Sequence, residues 1–526
     1  MSKATSMAKV SAKGGFNLLW GMVVSTAISA IGTIFVARIL GSGRFGLYAI
    51  ALTGPNLISL FMDWGISVAI IKYTAQYRAE NNSDLIRNIL ISGLIFETST
   101  GLALTVLSFL LSGFLAASVL RQPTIAPLIE IASLSILMTA FVTVATSAFT
   151  GFERMELTSI TTICNSVVRT ILVPLLVIFG FGIFGAVTGN TVAVLASGVI
   201  AMLLLWTLQK NLPKNGRKLE IRATITTLLK YGLPLAVSSI MGGILGQFTT
   251  FLLAIHYSGT PAVVGNYSIA TSFAVLISFL ATPIGTVLFP AFSKLDYRKE
   301  QETLKNVFQF SVKYAALIVV PAATLIMVLS RPGISALLGN TYNAAPLFLS
   351  LLVIPSLYTA CGSLSVVNLI NSQGNTKFVM KLSILTSTIG FPLYFVLISQ
   401  FGVIGLIAST LVYTIPMQII ALFWIKKNYR VAVDWASSIK ILLSSALAAA
   451  LDYVILLTLN FNSWILLLIG VIVFLPIFIM TIILTKAINS SDIANLREIT
   501  GGLGAIGRII RPILNAVEKL VLKFQK

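Results

Sequence analysis

Three ionisable side chains sit deep within apolar sequence, where a charge is costly unless it is paired or put to use: Asp63, Glu97 and Arg169. Arg169 falls about twelve residues into its apolar run, near the middle of a bilayer. Asp63 and Glu97 each fall about eight to ten residues from one and the same face, roughly 12 to 15 Å at 1.5 Å per residue. An arginine at that depth can hold an anion, and a carboxylate beside it can exchange a proton or a monovalent cation. Equally, the three can form a structural Arg–carboxylate pair that ties helices together. Depth is legible in a sequence and facing is not, so both readings stand. Lys313 and Lys381 lie about seven and three residues inside their runs, where each can line a cleft or extend its ammonium to the headgroups. Gln247 and Asn190 can hydrogen-bond a polar ligand or a neighbouring helix. Arg38 and Arg44 flank the end of the first hairpin, as a gate or as interfacial anchors, and Asp452 has no obvious partner.

The elements that position these residues are apolar runs. About fourteen can be counted, each near the roughly 20 residues a spanning helix needs; the first lies at about 14–37, the second at about 47–71 and the last at about 464–485. Assigning both chain ends and every second gap to one face collects about 31 of the 36 Lys and Arg there. The other face keeps Arg38, Arg44, Arg121 and Arg331, and Arg169 falls inside a run. Basic residues retained in short loops mark the cytoplasmic side, so both termini are expected there, in a multi-pass protein of the cell (inner) membrane. With 57% hydrophobic and 10% charged residues and a mean hydropathy of +0.96, the chain is too apolar for a water-soluble core. The expected fold class is an all-α integral membrane protein. Its net charge of +20 would suggest nucleic acid in a soluble protein; here orientation and anionic headgroups account for it, and no nucleic acid is expected as a partner.

The runs repeat. Gly46-Leu47-Tyr48-Ala49-Ile50-Ala51 is echoed about 219 residues later by Gly265-Asn266-Tyr267-Ser268-Ile269-Ala270, and Phe181-Gly182-Ile183-Phe184-Gly185 by Phe401-Gly402-Val403-Ile404-Gly405. A weaker echo joins Gly151 and Arg154 to Gly374 and Lys377. Similar offsets in the same helix order imply two six-helix copies, and an even number of helices inserts both the same way up. The expected organisation is an N-terminal lobe over 1–209, a basic cytoplasmic linker over 210–230, a C-terminal lobe over 231–430, an appended helix pair over 431–486 and an amphipathic cytoplasmic tail over 487–526. A cleft between two parallel lobes is the natural place for a substrate.

The residues quoted above carry a resemblance. Arg38-Ile39-Leu40-Gly41 with Phe45-Gly46-x-Tyr48-Ala49 resembles the signature of polysaccharide (oligosaccharidyl-lipid) flippases of the multidrug/oligosaccharidyl-lipid/polysaccharide exporter superfamily, and Asp63-Trp64-Gly65 looks like that family's Asp-Leu-Gly element. Tyr231-Gly232-Leu233-Pro234, Phe289-Pro290-Ala291-Phe292-Ser293-Lys294 and Gly339-x-x-Tyr342-x-x-Ala345 fit the same pattern, so the resemblance spans about the whole chain. It implies movement of a polyprenyl-phosphate- or pyrophosphate-linked glycan from the cytoplasmic to the outer leaflet. Many relatives carry an acid where this chain has Gln247, so any role of that acid is absent here. On this reading Arg169 meets the phosphate and Asp63 or Glu97 exchanges the coupling ion. Arg169, Lys313, Lys381, Gln247 and Asn190 are the substrate-site candidates, and Arg38 and Arg44 the gate candidates.

Other classes are less well served by these residues. Glycan polymerases and glycosyltransferases of membranes need catalytic groups, usually on a sizeable outer loop, whereas the outer gaps here are short and nearly uncharged. There is no Walker motif and no His-Glu-x-x-His, and His256 is the one histidine, so neither ATP hydrolysis nor zinc chemistry is expected. Cys164 and Cys361 read as packing residues without metal-ligand company. No cofactor is expected beyond a coupling H+ or Na+; the expected partners are the polyprenyl-linked glycan, membrane lipids and glycan-assembly enzymes, with the protein itself a monomer. A drug or metabolite exporter of the same superfamily and a lipid scramblase remain open on architecture alone.

Overall fold

The computed structural model describes residues 3–210, 212–213, 219–489, 492–493, 497, 515, 518–519 and 521–522, and side chains from Trp20 onward, apart from eleven positions between 234 and 290. Most of the tail expected to be amphipathic, and Lys214, Arg217 and Lys218 of the basic linker, lie outside the described residues. Among the described residues the regular structure is helical throughout: α1 (Lys3–Ser59), α2 (Ile66–Ala79), α3 (Ser83–Leu110), α4 (Ala126–Gly151), α5 (Met155–Leu176), α6 (Gly182–Lys210) and α7 (Ile221–His256). There follow α8 (Pro261–Ser293), α9 (Gln301–Leu338), α10 (Ala345–Leu352), α11 (Ser363–Ser372), α12 (Thr376–Tyr429), α13 (Trp435–Thr458) and α14 (Ser463–Leu484). Nine described stretches are long and apolar enough to cross a membrane, ten if the pair Ala345–Cys361 and Ser363–Ser372, bent by 56°, counts as one more. The chain is a multi-pass membrane protein.

Four of the nine are far longer than a bilayer is thick: Gln301–Thr341, with 41 residues, and three that turn at a glycine. Trp20–Ser59, Met155–Lys210 and Thr376–Tyr429 hold 40, 56 and 54 residues, against the roughly 20 that one crossing takes. Each contains glycine in a conformation that side chains with a Cβ rarely adopt: Gly41 at φ 70°, Gly182 at φ 52° and ψ −130°, and Gly402 at φ 57° and ψ −135°. Past Gly182 the chain runs back along itself, because Asn165 Nδ2 on α5 donates to Ala193 O on α6 at 3.3 Å and to Ser197 Oγ at 3.1 Å. Past Gly402 it does the same, with Ser409 Oγ donating to Leu393 O at 3.1 Å. The two Phe-Gly-x-x-Gly echoes are thus two elbows of nearly the same backbone geometry. Gly185 and Gly405 lie where a Cβ would press on Phe181 and Phe401 respectively.

Contacts divide the chain into two compact units. One comprises 1–272, 341–344 and 383–409; the other comprises 273–340, 345–382 and 410–526. In the first, Ile66, Ile70, Leu90, Val144, Phe149 and Leu228 form a core that joins α2, α3, α4 and α7. In the second, Phe292, Phe308, Val366, Ile425 and Tyr429 form one cluster, and Val320, Ile441, Phe474, Phe478 and Ile482 a second that ties α9 to the helix pair α13 and α14.

The expected cleft candidate Lys313 is committed within this second unit. Its Nζ lies 2.6 Å from Asp492 Oδ2, with side chains 13% and 2% exposed, and Asn489 N donates to the same carboxylate oxygen at 2.9 Å. Removing one partner of so enclosed a pair leaves a charge without compensation, at a cost of about 3 kcal/mol. Asp492→Ala is therefore expected to lower the thermal unfolding midpoint of the purified protein clearly, and an unchanged midpoint would show that the pair holds nothing together.

Candidate functional site

A seam of small residues sets the site. Gly21, Ser25, Ser29 and Gly32 recur about one helical turn apart on the first leg of α1, which lets α5 come against the backbone. A Cβ at Gly32 would fall 2.6 Å from Thr170 Oγ1. Ser29 Oγ donates to Ser166 Oγ at 2.9 Å, and Thr170 Oγ1 to Ile28 O at 2.9 Å. This register carries Arg169 to the second leg of α1, where its Nη2 donates to the Tyr48 hydroxyl at 3.3 Å.

Around that guanidinium is a cavity of about 220 Å³. Phe45, Tyr48, Ala49, Leu52, Thr53 and Asn56 line it from α1 at the spacing of one helical face. Ser29, Thr33 and Thr170 add hydroxyls, α7 supplies Gln247 and Thr250, and α8 supplies Ser268, Thr271 and Ser272. Among the described residues Arg169 is the sole charged one in this lining, and no ion pair among them involves it. The chamber therefore offers one fixed cation and a ring of neutral donors and acceptors, with no protein anion to satisfy the cation. A guanidinium so placed suits phosphate or carboxylate oxygens, which its fork of N–H groups can bind two at a time.

Backbones meet at both ends of the α1 second leg. At the Gly41 end, a Cβ on Gly46 would overlap the Pro261 carbonyl, and a Cβ on Gly265 would overlap that of Ser42. Tyr342 Oη donates to Ala37 O at 2.8 Å there, Phe45 meets the Tyr342 ring edge-on at 6.3 Å, and Ala344 N donates to Asn266 Oδ1 at 3.1 Å. At the Ser59 end, Gly65 and Gly232 approach too closely for either to carry a Cβ. Lys72 Nζ lies 3.8 Å from the centre of the Tyr231 ring, and Asn88 Nδ2 donates to Thr224 Oγ1 at 2.8 Å.

The other expected residues are dispersed. Asp63 shapes the turn into α2: its Oδ1 accepts from Gly65 N at 2.9 Å and Ser67 N at 3.2 Å, and the Ser67 hydroxyl donates to Oδ2. Capping of this kind fixes a helix entrance, and it explains the aspartate and the glycine of Asp63-Trp64-Gly65 together, since Gly65 has φ 83°. Glu97 is fully buried on α3 with neither oxygen hydrogen-bonded. Neither acid pairs with Arg169. Asn190 on α6 does not line the cavity, Lys381 is exposed on α12, and Arg38 and Arg44 are exposed on either side of Gly41. Asp452, fully buried on α13, has both oxygens unpartnered, and Gly470 on α14 faces it. Tyr48, Asn56, Thr250 and Ser268 escaped the sequence reading. Their signal is weak: hydroxyl and amide groups at helical spacing, which in membrane helices serve packing just as often.

The site is thus a chamber among the helices of a membrane protein, lined by hydroxyls, amides and one guanidinium. The family model described as "Polysaccharide biosynthesis protein" matches residues 11–296, more than half of the chain. The lipopolysaccharide biosynthesis protein WzxC of Escherichia coli K12 is 25% identical over 411 residues, which covers 77% of this chain and 79% of that one. Among solved structures, the lipid II flippase MurJ in an inward closed conformation superposes with a TM-score of 0.69 at 17% identity, covering 88% of this chain and 98% of MurJ. An inward-facing multidrug resistance MATE family transporter of the MOP superfamily gives a TM-score of 0.61 at 15% identity, covering 77% of this chain and 94% of that one. The chain belongs to the polysaccharide biosynthesis protein family.

Proposed function

We propose that the chain is a flippase carrying a polyprenyl-phosphate- or pyrophosphate-linked oligosaccharide from the cytoplasmic to the outer leaflet of the inner membrane, for surface polysaccharide or glycoprotein assembly. One observation carries this reading: the Arg169 guanidinium, set without a counter-ion in a polar chamber among spanning helices. The phosphate of a lipid-linked glycan needs a cation during its crossing, the sugars need hydroxyl and amide partners, and the prenyl tail can stay in lipid. A relative named for lipopolysaccharide biosynthesis and a fold neighbour named as a lipid II flippase support the substrate class. At about 220 Å³ the chamber is smaller than the roughly 300 Å³ at which ligand pockets begin. Cargo therefore enters only when one of the two end contacts opens, which is alternating access by a monomer.

Cutting the three elbowed stretches at their glycines, keeping Gln301–Thr341 as one span, and counting α7 and the bent pair as spans, gives fourteen crossings. Both termini then lie in the cytoplasm. The matched elbows at Gly182 and Gly402, and the reciprocal contact of Gly46 with Gly265, support two parallel lobes over 1–209 and 231–430, with α13 and α14 appended. Lobe helices of both copies then wall the chamber. Glu97, fully buried and unpartnered, is the coupling carboxylate in this scheme, and the ion is H+ or Na+.

Depletion tests the function: surface glycan falls and lipid-linked precursor accumulates in the inner leaflet. A change in drug resistance with normal glycan would instead assign the chain to drug export. Glu97→Gln keeps the shape and removes the exchangeable charge. It should insert normally yet lose at least about tenfold in export, the scale of one allosteric coupling energy; export equal to the parent would strike Glu97 from the cycle.

A further inference from the structure

We propose that a recess between the end of α12 and the start of α13 is a binding site for an anionic phospholipid of the leaflet on that side. The recess has a volume of about 260 Å³, and its walls are Ile419, Leu422 and Phe423 of α12, Ala432 and Val433 of the connection and Trp435 of α13, with Lys426 also in the lining. None of these residues lines the Arg169 chamber.

Two exposed apolar stripes converge on it. Ile415, Ile419 and Phe423 succeed one another at four-residue spacing on α12, and Trp435, Ile439, Leu443 and Leu447 do so on α13. Each is 44% exposed or more, and Phe423 reaches 68%. A chain of methylenes laid between these stripes covers apolar surface along its length. Lys426 is the charged residue of the described lining, and Lys427 and Arg430 follow it within four positions of the chain. Lys426, Lys427 and Arg430 are exposed and form no ion pair among the described residues. The nearby acid, Asp434, is engaged elsewhere: its Oδ1 accepts from Ser437 N at 3.4 Å and its Oδ2 from Ser437 Oγ at 2.5 Å, which caps α13. Burial works to raise the Asp434 carboxyl, but the Ser437 hydroxyl and amide outweigh it and hold the group below its ordinary value, so it stays an anion committed to the helix.

An anion joined to a long apolar chain meets both halves of this surface at once: phosphate oxygens on Lys426, an acyl chain along Phe423 and Trp435. The indole of Trp435 stands where such rings gather, between hydrocarbon and headgroup. A phospholipid is the occupant argued for because the recess opens on the helix faces turned toward lipid and shares no wall with the chamber that holds the cargo cation.

The test uses the purified full-length protein. Phosphatidylglycerol and phosphatidylcholine of identical acyl chains are titrated separately, and bound lipid is counted by native mass spectrometry. The parent protein should retain phosphatidylglycerol about five-fold more strongly than phosphatidylcholine, the weight of one cation near an anionic surface. Lys426→Gln, which keeps most of the stem, and Lys426→Glu should both abolish the preference. Lys305→Gln, which removes an exposed charge from α9, should leave it intact and so exclude a general charge effect. No preference in the parent, or a preference that survives in both Lys426 variants, overturns the proposal. So does displacement of phosphatidylglycerol by a short polyprenyl phosphate at equal concentration, which would assign the recess to the glycan carrier. Neither result depends on whether the chain exports glycan.

Discussion

Arg169→Ala is expected to reduce glycan export at least about a hundredfold while the protein still inserts at parental level. The magnitude follows from where the residue lies. Truncating one partner of a buried charge pair costs about 2 to 5 kcal/mol, and under the proposed function the partner is the cargo itself. Among the described residues no second cation lines the chamber to take over. Arg169→Lys should recover part of the loss, because an ammonium restores the charge but not the planar fork. Tyr48→Phe, which removes the hydroxyl that receives the Arg169 hydrogen bond and leaves the guanidinium, should cost about tenfold at most. Export is read from surface glycan and from precursor retained in the inner leaflet, each normalised to immunoblotted protein. Parental export by a normally inserted Arg169→Ala protein would remove the cation from the mechanism.

Gly46→Leu and Gly265→Leu are expected to stop the cycle in a different way, by holding one end of the chamber open. A Cβ alone already overlaps the opposing carbonyl at either position, so no rotamer of a larger side chain relieves the collision. Overpacking of this kind costs about 1 to 3 kcal/mol, comparable with the few kcal/mol that separate conformational states. The closed arrangement therefore becomes the minor one. In a background with Cys164 and Cys361 replaced, Ser268→Cys should then label with a membrane-impermeant thiol reagent added from outside, while the same cysteine beside native Gly46 labels far more slowly. Equal labelling rates in the two backgrounds would refute a closing role for this contact.

The fold was legible in the sequence to the extent that it rests on hydropathy and glycine. The elbows at Gly182 and Gly402 could be anticipated because a Phe-Gly-x-x-Gly element recurred in equivalent gaps, and the backbone there explains why the glycines are needed. Arg169 was singled out because an ionisable group stood in an apolar run, and it does line the chamber. Facing was not legible. Asp63 and Glu97 were expected at one depth inside two helices, yet the chain leaves the helix between Ser59 and Ile66, so that Asp63 closes a turn onto backbone amides, while Glu97 is enclosed on α3 without a partner. Lys313 was open to a cleft role because its partner, Asp492, lies 179 positions along the chain, too far for any local pattern to announce. The chamber's hydroxyls were hidden for a related reason: serine and threonine in membrane helices mostly donate to their own backbone, as Thr271 and Thr53 do here, so their presence alone points nowhere.

The meeting of Gly46 with Pro261 and of Gly265 with Ser42 has a reciprocal form. Moving either partner by the repeat interval of about 219 positions turns one half of the contact into the other. This is the arithmetic of a self-complementary patch, as found where identical subunits join about a two-fold axis. Under the two-lobe scheme, a single ancestral half-molecule already bore both sides of this handshake and could have formed it with its twin. Fusion into one polypeptide then freed each side to drift, but only as far as its opposite number leaves room.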